Sequence, residues 1–155
     1  MNQYYNDSID GWMYPEDLKF LYDIALNAES IVEVGVAYGR TTWTLCTACK
    51  GTVYAVDHFL GTKDDETMKT FISERSPMYD KFIENCGHFK NLKIIKDSSE
   101  NAVKQFYDRS VDVVFIDADH SYEEVMRDIF LWKRVCKKIL CGHDAYDPDV
   151  ISAVS

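Results

Sequence analysis

The chain has no stretch approaching the ~20 apolar residues that a membrane span requires. Its opening residues, MNQYYNDSID, hold no basic region ahead of an apolar core, so no signal peptide is expected either. Positive charge is scarce: 17 Lys and Arg stand against 26 Asp and Glu, a formal net charge of −9. That balance argues against a nucleic-acid backbone as the main partner and suits a small cationic ligand or a metal ion. Cysteine is present in an odd number, five, which speaks against a disulfide framework and for a reducing cytoplasm. Cys46 and Cys49 form one C-x-x-C, but a second is lacking to complete a closed four-ligand zinc site. The pair reads as small apolar residues one helical turn apart. Repeats, low-complexity tracts and linkers are also absent, so residues 1–155 read as a single domain with one sizeable core.

What is present alternates between two periods. Residues 15–27 place Leu18, Leu21, Tyr22 and Ala25 at helical spacing, with Pro15 suited to a first turn. Residues 31–36 read as a buried strand, and a helix follows from Arg40 to Cys49, stopped by Gly51. Further strands are expected at 52–57, 91–96, 111–117 and 138–142. Between them lie a polar loop (GTKDDE), helical pattern on either side of Pro77, a helix from Ser98 or Ser99 to Tyr107, and an amphipathic helix over 121–137. A last helical turn begins after Pro148. Strands separated by helix-length segments predict an α/β fold: a Rossmann-like, doubly wound parallel sheet in the order 3-2-1-4-5. In such sheets ligands bind beyond the C-terminal strand ends. Polar residues converge there: Glu33 with Gly35, Asp57 with His58, Asp97 with Ser98, Asp117 with Asp119 and His120, and His143 with Asp144.

The first turn, VEVGVAYGR, separates its glycines as G-x-x-x-G where a dinucleotide site uses G-x-G-x-x-G. Glu33 would also bring negative charge towards a pyrophosphate, so electrostatics favours a ligand with a positive group. S-adenosylmethionine carries an ammonium and a sulfonium and no phosphate, and Glu33 is expected near its aminoacyl end, directly or through water. The rival reading of Glu33 is a buried acid satisfied by backbone amides. Asp57 can accept two hydrogen bonds from ribose hydroxyls, as in other adenosine-binding folds. Asp97 or Ser98 can reach the adenine amino group, the alternative for the serine being a helix cap. His120 is placed to act as a general base, since histidine titrates near neutrality, or as a hydrogen-bonding neighbour. Asp117, His143 and Asp144 can share a divalent cation, oxygen ligands suiting Mg2+ and the histidine shifting preference towards Mn2+. The same three groups could instead hydrogen-bond the substrate or cofactor.

Five segments in order, GWMYPE (11–16), VEVGVAYGR (32–40), VDHFLG (56–61), FIDADHSYE (115–123) and GHD (142–144), resemble the class I S-adenosylmethionine-dependent methyltransferases, in particular a small-domain group with these motifs. The resemblance covers residues 9 to 150. It implies that Glu33, Gly35 and Gly39, with Tyr38 in the same loop, frame the aminoacyl side of the cofactor. It places Asp57 with His58 at the ribose, Asp97 with Ser98 near adenine, and Asp117 at both cofactor and catalytic site. Metal-dependent sugar and catechol-type O-methyltransferases of this fold carry acids where Asp117, His143 and Asp144 stand, although the position of His143 is usually an acid. In the sugar enzymes a histidine three residues past the first metal acid is the base, which matches His120. The full fold has seven strands, and strands 6 and 7 find no counterpart here.

The resulting expectation is a cytoplasmic enzyme that methylates a small molecule, at oxygen, with Mg2+ or Mn2+ assistance. It would act without nucleic-acid or membrane partners, and as a homo-oligomer, a dimer, in which a second subunit covers the edge strand. The alternatives are a non-catalytic module that binds the cofactor, and an NAD-linked oxidoreductase, against which Glu33 and the missing third glycine both count.

Overall fold

The computed structural model describes residues 3–61 and 77–155. Among them the elements run α1 (Pro15–Ala25), β1 (Ser30–Val34), α2 (Arg40–Ala48), β2 (Thr52–Asp57), α3 (Met78–Cys86), β3 (Leu92–Lys96), α4 (Ser99–Ala102), β4 (Val111–Ile116), α5 (Tyr122–Lys133), β5 (Cys136–Gly142) and α6 (Pro148–Val154), with a 3-10 turn at Val103–Gln105 after α4. The strands form one sheet in the order β3-β2-β1-β4-β5, every pairing parallel. Most of the loop expected at GTKDDE and the helical pattern ahead of Pro77 lie outside the described residues. No described helix is long and apolar enough to cross a membrane.

The sheet is a Rossmann-like α/β layer because its central strands are apolar on both faces, as strands covered on both sides by helices must be. Every residue of β4 is buried. Strand parity sorts the core. Ile31, Val113 and Phe115 face one side, where Leu18 and Leu21 of α1 and Leu45 of α2 cover them. Val32, Val34, Val114 and Ile116 face the other, against Trp132 of α5. In α1, Pro15 occupies the first turn with Glu16 and Asp17 beside it, acids that favour a helix N-terminus. Leu18, Leu21 and Ala25 form its buried stripe.

Several boundaries differ from the sequence reading, among them those of β1, α4 and β5. β1 stops at Val34 because Gly35 turns the chain with φ +85°. α4 gives way to a 3-10 turn after one turn of α-helix, where a helix to Tyr107 was expected. β5 begins at Cys136, so α5 ends earlier than its apolar pattern suggested.

At the N-terminal end of the sheet, Asp112 ties three strands together. It is buried on β4, accepts the Glu29 amide at 2.9 Å, and pairs with Lys138 Nζ of β5 at 3.1 Å. Its own amide donates to Ser30 Oγ of β1 at 3.0 Å.

Candidate functional site

All five strands are parallel, so their C-terminal ends share one rim, and unusual backbone gathers there. Gly35, Ala37 and Gly39 after β1, Phe59 and Gly61 after β2, and Asp144 after β5 all have positive φ. Arg109 alone among the described positive-φ residues lies elsewhere. Gly35 is required twice over: besides its φ, a Cβ there would meet the Asp117 carbonyl oxygen at 2.2 Å. Gly39 sits at the N-cap of α2, where a Cβ would strike Cys86 Sγ at 2.6 Å. The ends of β1 and β4 thus approach as closely as backbone allows.

A cavity of about 490 Å3 opens over this rim, lined by Gly35, Asp57, His58, Asp97, Ser98 and Asp117 among others. Those six expected site residues are therefore brought together. Asp57 holds the first turn: its Oδ2 accepts the amides of Val36 at 2.9 Å and Ala37 at 3.3 Å, and its Oδ1 accepts that of Phe59 at 2.7 Å. A carboxylate has about four acceptor sites, so capacity remains for a ligand hydroxyl. His58 accepts the Leu60 amide at Nδ1, 3.0 Å away. Asp97 accepts from the Ser98 amide at 2.7 Å and from Asn101 Nδ2 at 3.1 Å. Ser98 caps α4 by accepting from the Asn101 amide, so the capping role is met while the residue still lines the cavity.

Three expected cofactor-binding residues lie outside this lining. Glu33 is 1% exposed and lies outside the lining, under α2, where Thr42 Oγ1 donates to it at 2.6 Å. Strand parity causes this: Glu33 shares the face of Ile31, and at its height that face is covered by α2. Burial pushes its carboxyl well above the ordinary glutamate range, with Thr42 opposing and Asp117 and Asp57 adding to the rise. Tyr38 is buried in the cluster around Phe82, and its carbonyl accepts from Asn85 Nδ2 at 2.8 Å. Gly39 shapes the turn from below without lining the cavity.

At the β4–β5 side Asp144 is the hub. It is buried, and its Oδ2 lies 2.8 Å from His120 Nε2 and its Oδ1 3.1 Å from His143 Nδ1. The neighbouring Asp144 pushes the Tyr146 phenol up to about 12. Asp117 stands beside them, 3.6 Å from His143 Nδ1. Burial pushes Asp117 up to about 6, with His143 pulling down and Asp144 adding to the rise through charge and a shared hydrogen bond. Two carboxylates this close do not both ionise readily. Of the expected metal set, Asp117 and Asp144 come together, and His120 takes the place expected of His143: one ligand atom each from Asp117, His120 and Asp144 lie within 4.8 Å of one another. His143 approaches from the α1 side, where its Nε2 lies 3.5 Å from Asp17 Oδ2. Its parity on β5 follows Cys141, which packs with the α1 layer.

Sequence reasoning missed a buried acid in the cavity wall. Asp128 of α5 lines the cavity and accepts from the Ser99 hydroxyl, which in turn accepts from Trp132 Nε1 at 2.8 Å. Burial pushes Asp128 above the ordinary aspartate range. The signal was available: Asp128 stands between Val125 and Trp132 on the apolar face of the helix. Tyr146, two residues after Asp144, was missed as well.

Comparison with known proteins agrees with this geometry. A family model described as a methyltransferase domain matches residues 32–145. No curated protein sequence is detectably similar. Among solved structures, cofactor-bound Rv0187 from MTB superposes with a TM-score of 0.67 at 16% identity, over 95% of this chain and 68% of that one. The O-methyltransferase from Bacillus cereus, in complex with SAH, gives 0.65 at 16% identity over 95% and 68%. PH1948 from Pyrococcus horikoshii, described as a putative RNA methyltransferase, gives 0.60 at 15% identity over 95% and 74%. At such identities these likenesses carry the fold.

Proposed function

Because the chain belongs to the methyltransferase domain family, of the class I S-adenosylmethionine-dependent type, we propose that it transfers a methyl group to a hydroxyl of a small molecule. The observation that carries this reading is the charge of the first cavity. Five aspartates and two glutamates line it against one guanidinium, Arg127, which is itself paired with Glu100 and Glu124. Such a wall repels the pyrophosphate of a dinucleotide and suits a ligand with an ammonium and a sulfonium. Asp57 would take the ribose hydroxyls and Asp97 with Ser98 the adenine edge.

When bound, S-adenosylmethionine supplies a methyl group whose C–S bond breaks as the new bond forms. The protein's part is to position the acceptor and move one proton. His120 holds Asp144 through Nε2, which fixes the ring and leaves Nδ1 to take the acceptor's proton. A second reading rests on the cluster of Asp117, His120 and Asp144: two oxygens and a nitrogen fit Mn2+ or, less well, Mg2+. An ion held there would lower the pKa of an acceptor hydroxyl. In that state His120 Nε2 would be a ligand.

Thermal shifts measured with S-adenosylhomocysteine and with NAD test the cofactor, since a ligand of the native state raises the melting temperature. Stabilisation by S-adenosylhomocysteine alone is expected, and stabilisation by NAD alone would overturn the reading. We also propose a two-fold self-association through β5, which pairs only with β4 among the described strands and carries the half-exposed Ile139. Light scattering over a dilution series tests it, a chain monomeric at every concentration counting against it.

A further inference from the structure

A second cavity, of about 330 Å3, lies between α5, β5 and α6. Its character is the opposite of the first. Val125 and Ile129 of α5, Leu140 of β5, and Val150, Ala153 and Val154 of α6 form its body. Its polar lining residues, Asp117, Asp119, His120, His143 and Asp144, all come from the strand-end rim already described, which forms its mouth. The two cavities share Asp117, Ala118 and Asp119, so they adjoin along one short stretch of chain.

We propose that this second cavity is the acceptor site, and that the acceptor is an uncharged molecule with a compact apolar body bearing a hydroxyl, of the phenol type. The proposal rests on the methyltransferase reading for the identity of the first cavity's ligand, and on the second cavity's own lining for the class of molecule. A transfer between two bound molecules needs adjacent compartments, and these meet along three residues beside His120. The volume falls in the usual range for small ligands, ~300–1,000 Å3. The chemistry of the wall then selects. Val125, Ile129, Leu140 and Val150 offer no side-chain hydrogen bond, so a polyol would bury hydroxyls without partners, which is costly. Acids at the mouth disfavour a carboxylate. A single hydroxyl directed to the mouth meets His120, His143 and the carboxylates, while the rest of the molecule meets the hydrocarbon of Val125, Ile129, Leu140 and Val150. Net acidity and an apolar body thus exclude sugars, nucleotides and anionic metabolites on independent grounds.

The test uses 2-naphthol, whose own fluorescence reports binding, with methyl glucoside and 2-naphthoate as competitors. Wild type should bind 2-naphthol, and neither competitor should displace it at equal concentration. Ala153→Trp, which fills the cavity, should weaken 2-naphthol at least tenfold while leaving the S-adenosylhomocysteine thermal shift unchanged. Val154→Asp, at an exposed position, places a charge in the same wall, should act in the same direction, and serves if the tryptophan is not accommodated. Absence of 2-naphthol binding, equal binding by both variants and wild type, or displacement by methyl glucoside each overturns the proposal. If 2-naphthol binds with the expected variant pattern but S-adenosylhomocysteine gives no shift, the cavity stands as a site for such molecules, while the methyltransferase reading, and the acceptor role with it, falls.

Discussion

His120 Nε2 and Asp144 Oδ2 lie 2.8 Å apart, joining the loop after β4 to the turn after β5. The pair orients one imidazole in the lining of the second cavity, next in sequence to the residues that both cavities share. His120→Ala should therefore cut turnover by about 10²–10⁴-fold, the usual worth of a positioned general base, and leave S-adenosylhomocysteine binding close to wild type. Asp144→Asn should lower turnover in the same direction through misorientation of the ring. A chelator separates the two uses of this histidine. Loss of turnover, restored by Mn2+, supports the ion, whereas undiminished turnover in chelator leaves the base.

Asp57 has two duties, and a variant should show both. It accepts three amides of the turns after β1 and β2, and charge-assisted bonds of this kind contribute ~1.5–3 kcal/mol each. Asp57→Ala should lower the melting temperature of the free protein and remove most of the rise given by S-adenosylhomocysteine. Calorimetric titration checks the second effect, and wild-type affinity would show that the ribose lies elsewhere.

Glu33 gives a pH signature of known sign. Burial raises its folded-state pKa, so the native state binds this proton more tightly than the unfolded chain does. Its contribution is fully present below the unfolded value and is lost as pH rises towards the folded one. Glu33→Gln, which retains an acceptor for Thr42, should flatten that slope, so that the variant gains melting temperature relative to wild type as the pH rises above the ordinary glutamate range. Cofactor affinity should change little, because Glu33 does not line the cavity. A large loss of affinity would restore the contact expected from the sequence.

The history of Glu33 shows what a linear pattern contains. An acid inside VEV announces that it needs a partner, and the partner is Thr42, one α2 turn past Gly39. Which face the acid takes depends on which helix lies over it, and strand periodicity is silent on that. TVYAVD was legible in full because Gly51 and Asp57 bracket a buried run. β5 was read from Lys138, with Cys136 and Lys137 assigned to the helix before it; the strand begins at Cys136, and Lys137 and Lys138 fall at an irregularity between the paired Cys136 and Ile139, from which Lys138 reaches Asp112. The rim residues were legible because each follows an apolar strand directly. His120 as a neighbour of Asp144 was not, since their contact joins separate loops.

Asp112 makes the reverse prediction to Glu33. The Glu29 amide, and after it Lys138, holds its carboxyl below the ordinary aspartate range against the opposing effect of burial. Stabilisation of this kind is present above the unfolded pKa and disappears as pH falls through the lower folded value. Asp112→Asn should lower the melting temperature at pH 7, and the gap to wild type should close as both are acidified below the aspartate range. A gap constant with pH would assign the loss to packing instead.

Ala37, in the lining of the first cavity, adopts φ +45°, and Phe59, two residues past the lining residue Asp57, adopts φ +60°. Left-handed backbone at non-glycine residues costs on the order of 1–3 kcal/mol each. The chain therefore holds its least comfortable conformations where ligands are expected, and a selection for heat resistance would find its easiest gains there. Ala37→Gly is such a gain on conformational grounds, but it loosens the amide that Asp57 holds. Thermostability and affinity should pull against each other at this loop, so variants ranked by melting temperature alone would drift away from function.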